Sequence, residues 1–292
     1  MTDLYEPLSP QARKEAANRF LEFLLERDGT PEPEARRLSK REEYFKRIDS
    51  RAVRSNRQVD KLQFQRNHEG RRLESHLDPV MLWLLCTAKL NRGERYGVDT
   101  AFKSRKGHLN PEDPMTFIGV EEFYHTRMLL DVLKVFDLSL EILPPNSRVT
   151  RWLIQAMAYL PKRFSMPLTM AGEVFGVAAF YLLREKAKEL FAGEPVVLER
   201  ILSLYNEIMV DEIGHVFFAR ANLGRTGLWL AKKLQGSVMK SILSDLPELL
   251  QLFSREKFEA TLAQVEQILN GKDDWPVKPF RYFPGNGAML GV

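Results

Sequence analysis

Four long apolar segments, each with a proline near its start, constrain the fold more than any other feature of the sequence. Proline is favoured in the first turn of a helix, where the backbone N–H that it lacks would have no intrahelical partner. Apolar residues recur at helical spacing, and no convincing alternating strand pattern is present, so the chain is predicted to be all-α. The four predicted helices cover residues 78–104, 113–136, 166–191 and 194–223.

The connections between these segments predict their topology. A polar loop at 105–111 joins the first two segments, and a tight turn at 191–193 joins the last two. Short loops make each pair an antiparallel hairpin. The connection at 137–165 is much longer and contains a predicted short helix at 149–160. The sequence therefore predicts a four-helix bundle made of two antiparallel hairpins and one long crossover.

Further segments precede and follow the predicted bundle, which spans residues 76–223. Residues 1–75 are predicted to hold an amphipathic helix over 9–26 and then a basic helical extension. Within it, residues 34–75 carry 13 Lys or Arg against 7 Asp or Glu, which we interpret as a solvated helical face. Nucleic acid is not favoured as a partner, because few aromatic residues, which could stack on nucleobases, occur among these Lys and Arg residues. Residues 224–292 are predicted to add helices and a loop-like tail packed on the bundle.

Composition excludes several kinds of site. Cys86 is the single cysteine among 292 residues, so neither an intramolecular disulfide nor a Cys-x-x-Cys metal site can form. A metal would have to be held by histidine and carboxylate side chains. The most apolar run, residues 80–90, is too short to span a bilayer, which takes about 20 residues. Residues 1–6 lack the pattern of a signal peptide, so we expect a cytoplasmic protein without a membrane span.

Two Glu-x-x-His pairs lie on two of the predicted long helices. Glu122 and His125 lie on the second helix, and Glu212 and His215 lie on the fourth. A spacing of three places both side chains of a pair on one helix face, where they can bind the same metal ion. One such pair is weak support for a metal site, but two pairs drawn from five histidines are hard to attribute to chance.

Each of the other two predicted helices supplies a glutamate at the matching level. Two residues of an antiparallel hairpin lie level with each other when they are equidistant from its loop. Glu94 and Glu122 are equidistant from the centre of the first short loop. Glu173 and Glu212 are equidistant from the turn of the second hairpin. Both hairpins are therefore predicted to place a glutamate beside a Glu-x-x-His pair.

Other polar residues are assigned away from this cluster. Glu74 is rejected as the glutamate of the first helix, because its hairpin midpoint with the second helix falls inside a helix. Glu207 faces a different direction on the fourth helix and is predicted to be exposed to solvent. His68, His76 and His108 lie outside the paired positions and are predicted to be surface residues.

Four carboxylates and two imidazoles are costly to bury without compensating cations, and two divalent metal ions would offset that cost. Carboxylate ligands with imidazole suit iron or manganese. The residue set resembles the ferritin-like di-iron carboxylate superfamily over about half of the chain. The resemblance implies two iron ions, with manganese as the alternative, bridged by Glu122 and Glu212. The six ligands that it implies are Glu94, Glu122, His125, Glu173, Glu212 and His215.

The resemblance also implies roles for two neighbouring acids. In oxygen-activating members an acidic residue often precedes each Glu-x-x-His pair and orients the opposite histidine. Glu121 is on this basis assigned to His215, and Asp211 is assigned to His125.

Two branches of the superfamily fit less well. The radical-generating subunit of ribonucleotide reductase carries a tyrosine where this chain has Leu129. Arylamine N-oxygenases carry a third histidine where it has Ile208.

The activity implied is that of a di-iron monooxygenase or oxidase that uses O2 to oxidise a C–H or N–H bond of a small organic substrate. Electrons would come from a separate ferredoxin or reductase, because no flavin or Fe–S motif occurs in the sequence. An iron-binding, ferroxidase-like protein and a di-manganese catalase remain alternatives. The terminal segments are expected to cover the bundle mouth or to form a homodimer. The candidates for the substrate pocket are Phe117, Phe175, Gly176, Phe180, Ile208 and Met209.

Overall fold

The computed structural model of the chain describes residues 3–32, 34–70, 74, 76–104, 110, 112–272, 274–284 and 288–289. Within these ranges the chain is mostly helical, so the all-α prediction is confirmed. The helices are α1 Pro10–Asp28, α2 Ser39–Ser50, α3 Lys61–Glu69, α4 Pro79–Ser104, α5 Pro114–Lys134, α6 Arg148–Tyr159, α7 Lys162–Leu190, α8 Pro195–Ala221, α9 Arg225–Asp245, α10 Pro247–Phe253 and α11 Arg255–Leu269. The strands are β1 Pro31–Glu32, β2 Arg37–Leu38, β3 Arg281–Tyr282 and β4 Ala288–Met289.

Four long helices pack around the centre of the molecule. α4 contacts α5 and α7, and α8 contacts the same two helices, so the four form a closed ring. Aromatic side chains fill one end of this ring: Trp83 packs edge-on against Phe191, with 5.1 Å between ring centroids. The indole N–H of Trp83 donates to the carbonyl of Leu183 at 2.8 Å, which ties α4 to α7 inside the core. The ring is thus held by apolar burial and by satisfied polar groups.

Capping explains where several helices begin. Asp113 caps α5 by accepting from the backbone N–H of Met115, and a proline follows it in the first turn. α7 begins at Lys162, four residues earlier than predicted, so Pro167 lies in its second turn rather than its first. Pro161 takes the N-cap position, where its backbone is extended (φ −54°, ψ 144°) and directly precedes the first helical residue. The polar loop predicted at 105–111 falls largely outside the described residues.

The N-terminal segment differs from the predicted continuous basic helix. The helix predicted over 9–26 is present as α1, but β1 and β2 form a two-residue antiparallel ladder after it, and α2 and α3 are separate. α1 packs against α5 and α8. In the tail, β3 pairs with β4, while Phe280 and Tyr282 are buried. The larger hydrophobic core therefore takes side chains from the N-terminal segment, the four long helices and the C-terminal segment, and a smaller cluster lies between α6, α7 and α9.

α7 is the described helix with the length and composition of a membrane span. It has 29 residues and contains an 18-residue window of mean hydropathy 1.5. The run predicted from the sequence to be the most apolar, at 80–90, lies instead in α4. Because 67% of that window is buried inside the protein, packing in the core accounts for its apolar character.

Candidate metal centre

The structure brings the six proposed metal ligands together at the middle of the helical ring. α4 supplies Glu94, α7 supplies Glu173, and α5 and α8 supply the two Glu-x-x-His pairs. Their donor atoms form two groups of four, and within each group the atoms lie within 4.8 Å of one another. Glu122 and Glu212 belong to both groups. The arrangement thus offers two adjacent cation positions that share two carboxylates.

His125 defines the first position. Its Nδ1 lies 3.3 Å from a carboxylate oxygen of Glu122, 3.4 Å from one of Glu212 and 3.7 Å from one of Glu94. The imidazole is fully buried, and Nδ1 makes no hydrogen bond. Nδ1 and three carboxylates therefore point at one small volume.

His215 defines the second position in the same way. Its Nδ1 lies 3.2 Å from a carboxylate oxygen of Glu122 and 3.7 Å from one of Glu173, again without a hydrogen bond. The two imidazole rings have centroids 5.9 Å apart. The local pattern repeats because each histidine follows its glutamate by three residues on a helix.

The other nitrogen of each histidine is held by an acid from the opposite helix. Nε2 of His125 lies 3.1 Å from Asp211 on α8, and Nε2 of His215 lies 3.0 Å from Glu121 on α5. The structure thus brings together both pairs assigned from the sequence. A hydrogen bond at Nε2 fixes the ring orientation and leaves Nδ1 directed at the carboxylates.

Two arginines from the N-terminal segment contact the acids behind the histidines. Arg41 of α2 donates to Asp211 at 2.6 Å and to Asp28 at 2.6 Å. Arg27 of α1 donates to Asp211 as well, and Arg27 and Arg41 each lie 2.8 Å from Glu207. Two predictions are corrected here. Glu207 is largely covered by this network instead of facing solvent, and Arg41, 3% exposed, leaves the basic extension to enter the core.

Burial and charge shift the pKa values of the clustered carboxyls in both directions. Burial, with Glu122 beside it, raises the pKa of Glu94 to about 8. Burial and the charge of Glu173 raise the pKa of Glu212 well above its usual value. Burial would also raise the pKa of Glu122, but His125 outweighs it and holds that pKa well below its usual value. The carboxyls therefore differ in how readily each loses its proton.

The groups around the two imidazoles also have shifted pKa values. Burial opposes the imidazolium form, yet Glu122 raises the pKa of His125 and Glu121 raises that of His215 well above the usual value. Burial alone would raise the pKa of Asp211, but Arg27 and Arg41 hold it far below its usual range. The raised pKa values of both histidines mean that a cation binding at the cluster competes with protons.

The residues fit a pair of divalent cations. The two orphaned Nδ1 atoms are buried acceptors or donors without a partner, and such groups are rare unless a ligand completes them. Gly176 lies directly against Glu212: a Cβ built there would come within 2.6 Å of its Oε2. The missing side chain leaves room for the carboxylate that both groups share. Carboxylate and imidazole donors suit iron or manganese.

A cavity of about 280 Å³ borders the cluster. Helices α4, α5, α6, α7 and α9 form most of its wall, which is largely apolar and includes Phe175, Gly176 and Phe180. The other three pocket candidates do not line it: Phe117, Ile208 and Met209 are fully buried in the packed core. Of the described residues of α8, only Glu212 reaches the cavity. Ile208 and Met209, on the same helix, therefore do not line the cavity as predicted.

The remaining histidines and acids have different positions. His68 was predicted at the surface but is 2% exposed, because α3 packs it against α4, where Arg92 donates to its carbonyl oxygen. His76 is exposed, and His108 lies outside the described residues. Glu74 belongs to neither donor group and pairs with Arg66 at 3.4 Å.

Arg27, Arg41 and Asp28, which lie beside the acids behind the histidines, were not predicted from the sequence. No spacing rule marks them, because they come from α1 and α2 and reach α8 only through tertiary packing. No family model, curated protein or solved structure matches the chain. Its function must therefore be argued from the site itself.

Proposed function

We propose that this protein is a ferritin-like non-haem di-iron oxidoreductase that uses O2 to oxidise a C–H or N–H bond of a small organic substrate. The observation that carries the proposal is the pair of four-residue donor groups sharing Glu122 and Glu212, with an apolar cavity directly against them. Paired metal positions beside an apolar cavity combine a redox centre with a place for an organic molecule.

The ligand roles follow from the geometry. Glu94 and His125 would serve one metal ion, Glu173 and His215 the other, and Glu122 and Glu212 both. Bound there, two iron ions would supply the redox chemistry that activation of O2 requires.

The protein groups behind the ligands fix their orientation. Asp211 and Glu121 hold Nε2 of the two histidines, so that only Nδ1 faces the cluster. Arg27 and Arg41 keep Asp211 ionised and stationary. The N-terminal segment thus closes the cluster on one side and shields it from water.

The opposite side faces the cavity. Glu94, Glu122 and Glu173 keep side-chain exposures of 17%, 20% and 15% and are cavity-lining residues. Met157, Phe175 and other apolar side chains would hold a substrate there and limit the entry of water. Because oxygenation of such a substrate supplies only two of the four electrons that O2 accepts, a ferredoxin or reductase would supply the others.

Anaerobic loading with Fe(II), followed by rapid mixing with O2 in a stopped-flow spectrometer, tests the proposal. We expect two Fe(II) per chain and a transient visible absorption that decays faster when a suitable organic substrate fills the cavity. Conversion to a ferric product at a rate that no organic additive changes would favour iron handling instead. Evolution of O2 from hydrogen peroxide by the manganese-loaded protein would favour a catalase. Failure to bind any metal would refute the six-ligand assignment.

A further inference from the structure

The helix of the long crossover, α6, has two faces of different chemistry. Its inner face lines the cavity with Thr150, Leu153, Ile154, Met157 and Ala158. Its outer face is a stripe at positions i, i+4, i+7 and i+11, which lie on one side of a helix. All four side chains of that stripe are exposed: Arg148, Trp152, Gln155 and Tyr159. α6 is therefore amphipathic, yet its solvent side carries a tryptophan and a tyrosine, each 61% exposed.

Exposed apolar side chains are concentrated on and just after this helix. Ten large hydrophobic residues are exposed in the described part of the chain, and five of them fall within residues 149–164. Every residue from 159 to 164 is exposed, so the apolar surface continues through the turn into α7. The crossover face is defined here as Arg148, Val149, Trp152, Tyr159, Leu160, Lys162, Arg163 and Phe164. An apolar patch rimmed by polar residues marks an interaction surface.

The charge of the crossover face has one sign. Residues 142–172 contain no Asp or Glu, while Arg148, Arg151, Lys162 and Arg163 provide four positive charges. The salt bridges of the described residues include none of these four. The adjoining helix α9 continues the pattern, because residues 213–244 also lack acids and expose Lys232, Lys233 and Lys240.

We propose that the crossover face docks on a lipid surface that carries anionic headgroups. A helix with Trp, Tyr or Leu on one face and Lys or Arg beside them is suited to the boundary between headgroups and acyl chains. Each Lys or Arg near an anionic leaflet adds to the attraction. Because residues 142–172 carry four cations and no acid, this face complements a continuous anionic surface, which the headgroups of an anionic leaflet provide.

Docking in this position has a consequence that rests on the proposed function. The inner side of α6 is a wall of the cavity, so the membrane would lie one helix diameter away from the substrate. Docking itself needs no metal and no turnover. It can therefore be tested apart from oxidation.

Sedimentation of the full-length protein with vesicles tests docking directly. We expect binding to phosphatidylcholine vesicles that contain phosphatidylserine, little binding to phosphatidylcholine alone, and weakening by added salt. The variant Lys162→Glu with Arg163→Glu should lower the partition coefficient by at least about tenfold. Its matched control is Lys46→Glu with Arg47→Glu, an adjacent exposed pair on α2 that undergoes the same charge change away from exposed aromatic side chains.

Tryptophan fluorescence reports which surface inserts. Trp83 and Trp275 are buried, so in Trp229→Phe the exposed indole that remains is that of Trp152. Its emission should shift to the blue when anionic vesicles are added, and Trp152→Phe should lose that shift.

Three results would overturn the proposal. The first is no vesicle binding by the unaltered protein. The second is an equal loss of binding in the α2 control, since net charge alone would then explain it. The third is a concentration-dependent dimer that the Lys162→Glu, Arg163→Glu variant abolishes, because a second copy of the chain would then cover this face.

Discussion

The histidine and glutamate cluster has two sides that bury acidic groups in different ways. On the arginine side, Asp28, Glu121, Glu207 and Asp211 surround Arg27 and Arg41. On the cavity side are Glu94, Glu122, Glu173 and Glu212. In the described residues these carboxylates form no salt bridge with Lys or Arg, and their partners are the two histidines. The first set has arginine partners from the chain itself, and the second has none among the described residues.

The comparison shows that a cluster of buried acids does not by itself mark a metal site. Oxygens of Asp28, Glu121 and Asp211 also lie within 4.8 Å of one another. Two guanidinium groups already contact this trio, so an added cation would meet positive charge. We therefore expect two metal ions per chain, both on the cavity side.

The largest expected effect is on metal content and is obtained by removing one acid from each side. Glu122→Ala removes a carboxylate shared by both donor groups, and metal content should fall from two ions per chain to less than one. Glu207→Ala removes an acid from the arginine side and should leave the content at two, since Asp211 keeps both arginines. Metal analysis by mass spectrometry after dialysis measures both. Equal losses would mean that the sides are not distinct.

The second effect is on stability and lies on the arginine side. Arg41→Met leaves Asp28 and Asp211 buried with one cation fewer, and we expect a cost of about 3–5 kcal/mol in the free energy of unfolding. Arg54→Met is the control: its side chain is 75% exposed, 3.8 Å from Asp137, and should contribute less than about 1 kcal/mol. Urea unfolding of the metal-free proteins gives both values. A cost no larger than the control's would show that Arg27 alone compensates these acids.

A smaller change sharpens the description of the cavity side. Gly176→Ala places a methyl group 2.6 Å from Glu212 Oε2, so this carboxylate must move, and Fe(II) affinity should fall by roughly 10–100-fold. Gly172→Ala lies one turn earlier on α7 and meets only Met157 Sδ, at 3.8 Å, so its affinity should be nearly unchanged. Competition with a coloured chelator measures the difference. If Gly172→Ala weakens binding equally, helix packing rather than Glu212 is responsible.

The most gradual effect concerns His68, which contacts Arg92, a cation at the edge of the cavity that forms no salt bridge in the described residues. Arg92 donates to His68, and burial together with Arg92 and Lys89 lowers the pKa of His68 from 6.5 to about 3. Below pH 6.5, His68 binds a proton in the unfolded chain but remains neutral in the folded protein. The free energy of unfolding therefore falls as the pH falls towards 3.

His68→Gln removes this contribution. The stability of the native protein relative to His68→Gln should decline by about 1 kcal/mol per pH unit below 6.5. Urea midpoints measured at several pH values give the relative slope. A constant gap between the two proteins would show that His68 takes up its proton in the folded state.

The six clustered residues could be found from the sequence because their placement depends on local rules. The spacing of three within a helix and the symmetry of a hairpin need no knowledge of the rest of the fold. The arginine side depends instead on docking: Arg41 meets Asp211 across 170 residues of chain, and Arg27 does so across 184. Nothing in the charge pattern distinguishes Arg41 from its solvated neighbours.

The pocket candidates show a second limit. Phe117, Phe175 and Met209 all occur at core spacing, yet Phe175 lines the cavity and the other two lie in packed core. Periodicity indicates which side of a helix is buried and says nothing of whether the neighbouring space is filled. The burial of His68 could not be predicted for the same reason, because it depends on the packing of α3 on α4.

The two-sided crossover helix gives this chain a form of modularity. α6 has twelve residues, and its cavity-lining positions do not overlap with its outer stripe. Substitutions at Leu153 or Met157 would reshape the cavity while preserving the surface at Trp152 and Tyr159, and the reverse also holds. Mutation can therefore adjust the two properties in separate steps, so that a change in one need not wait for a compensating change in the other.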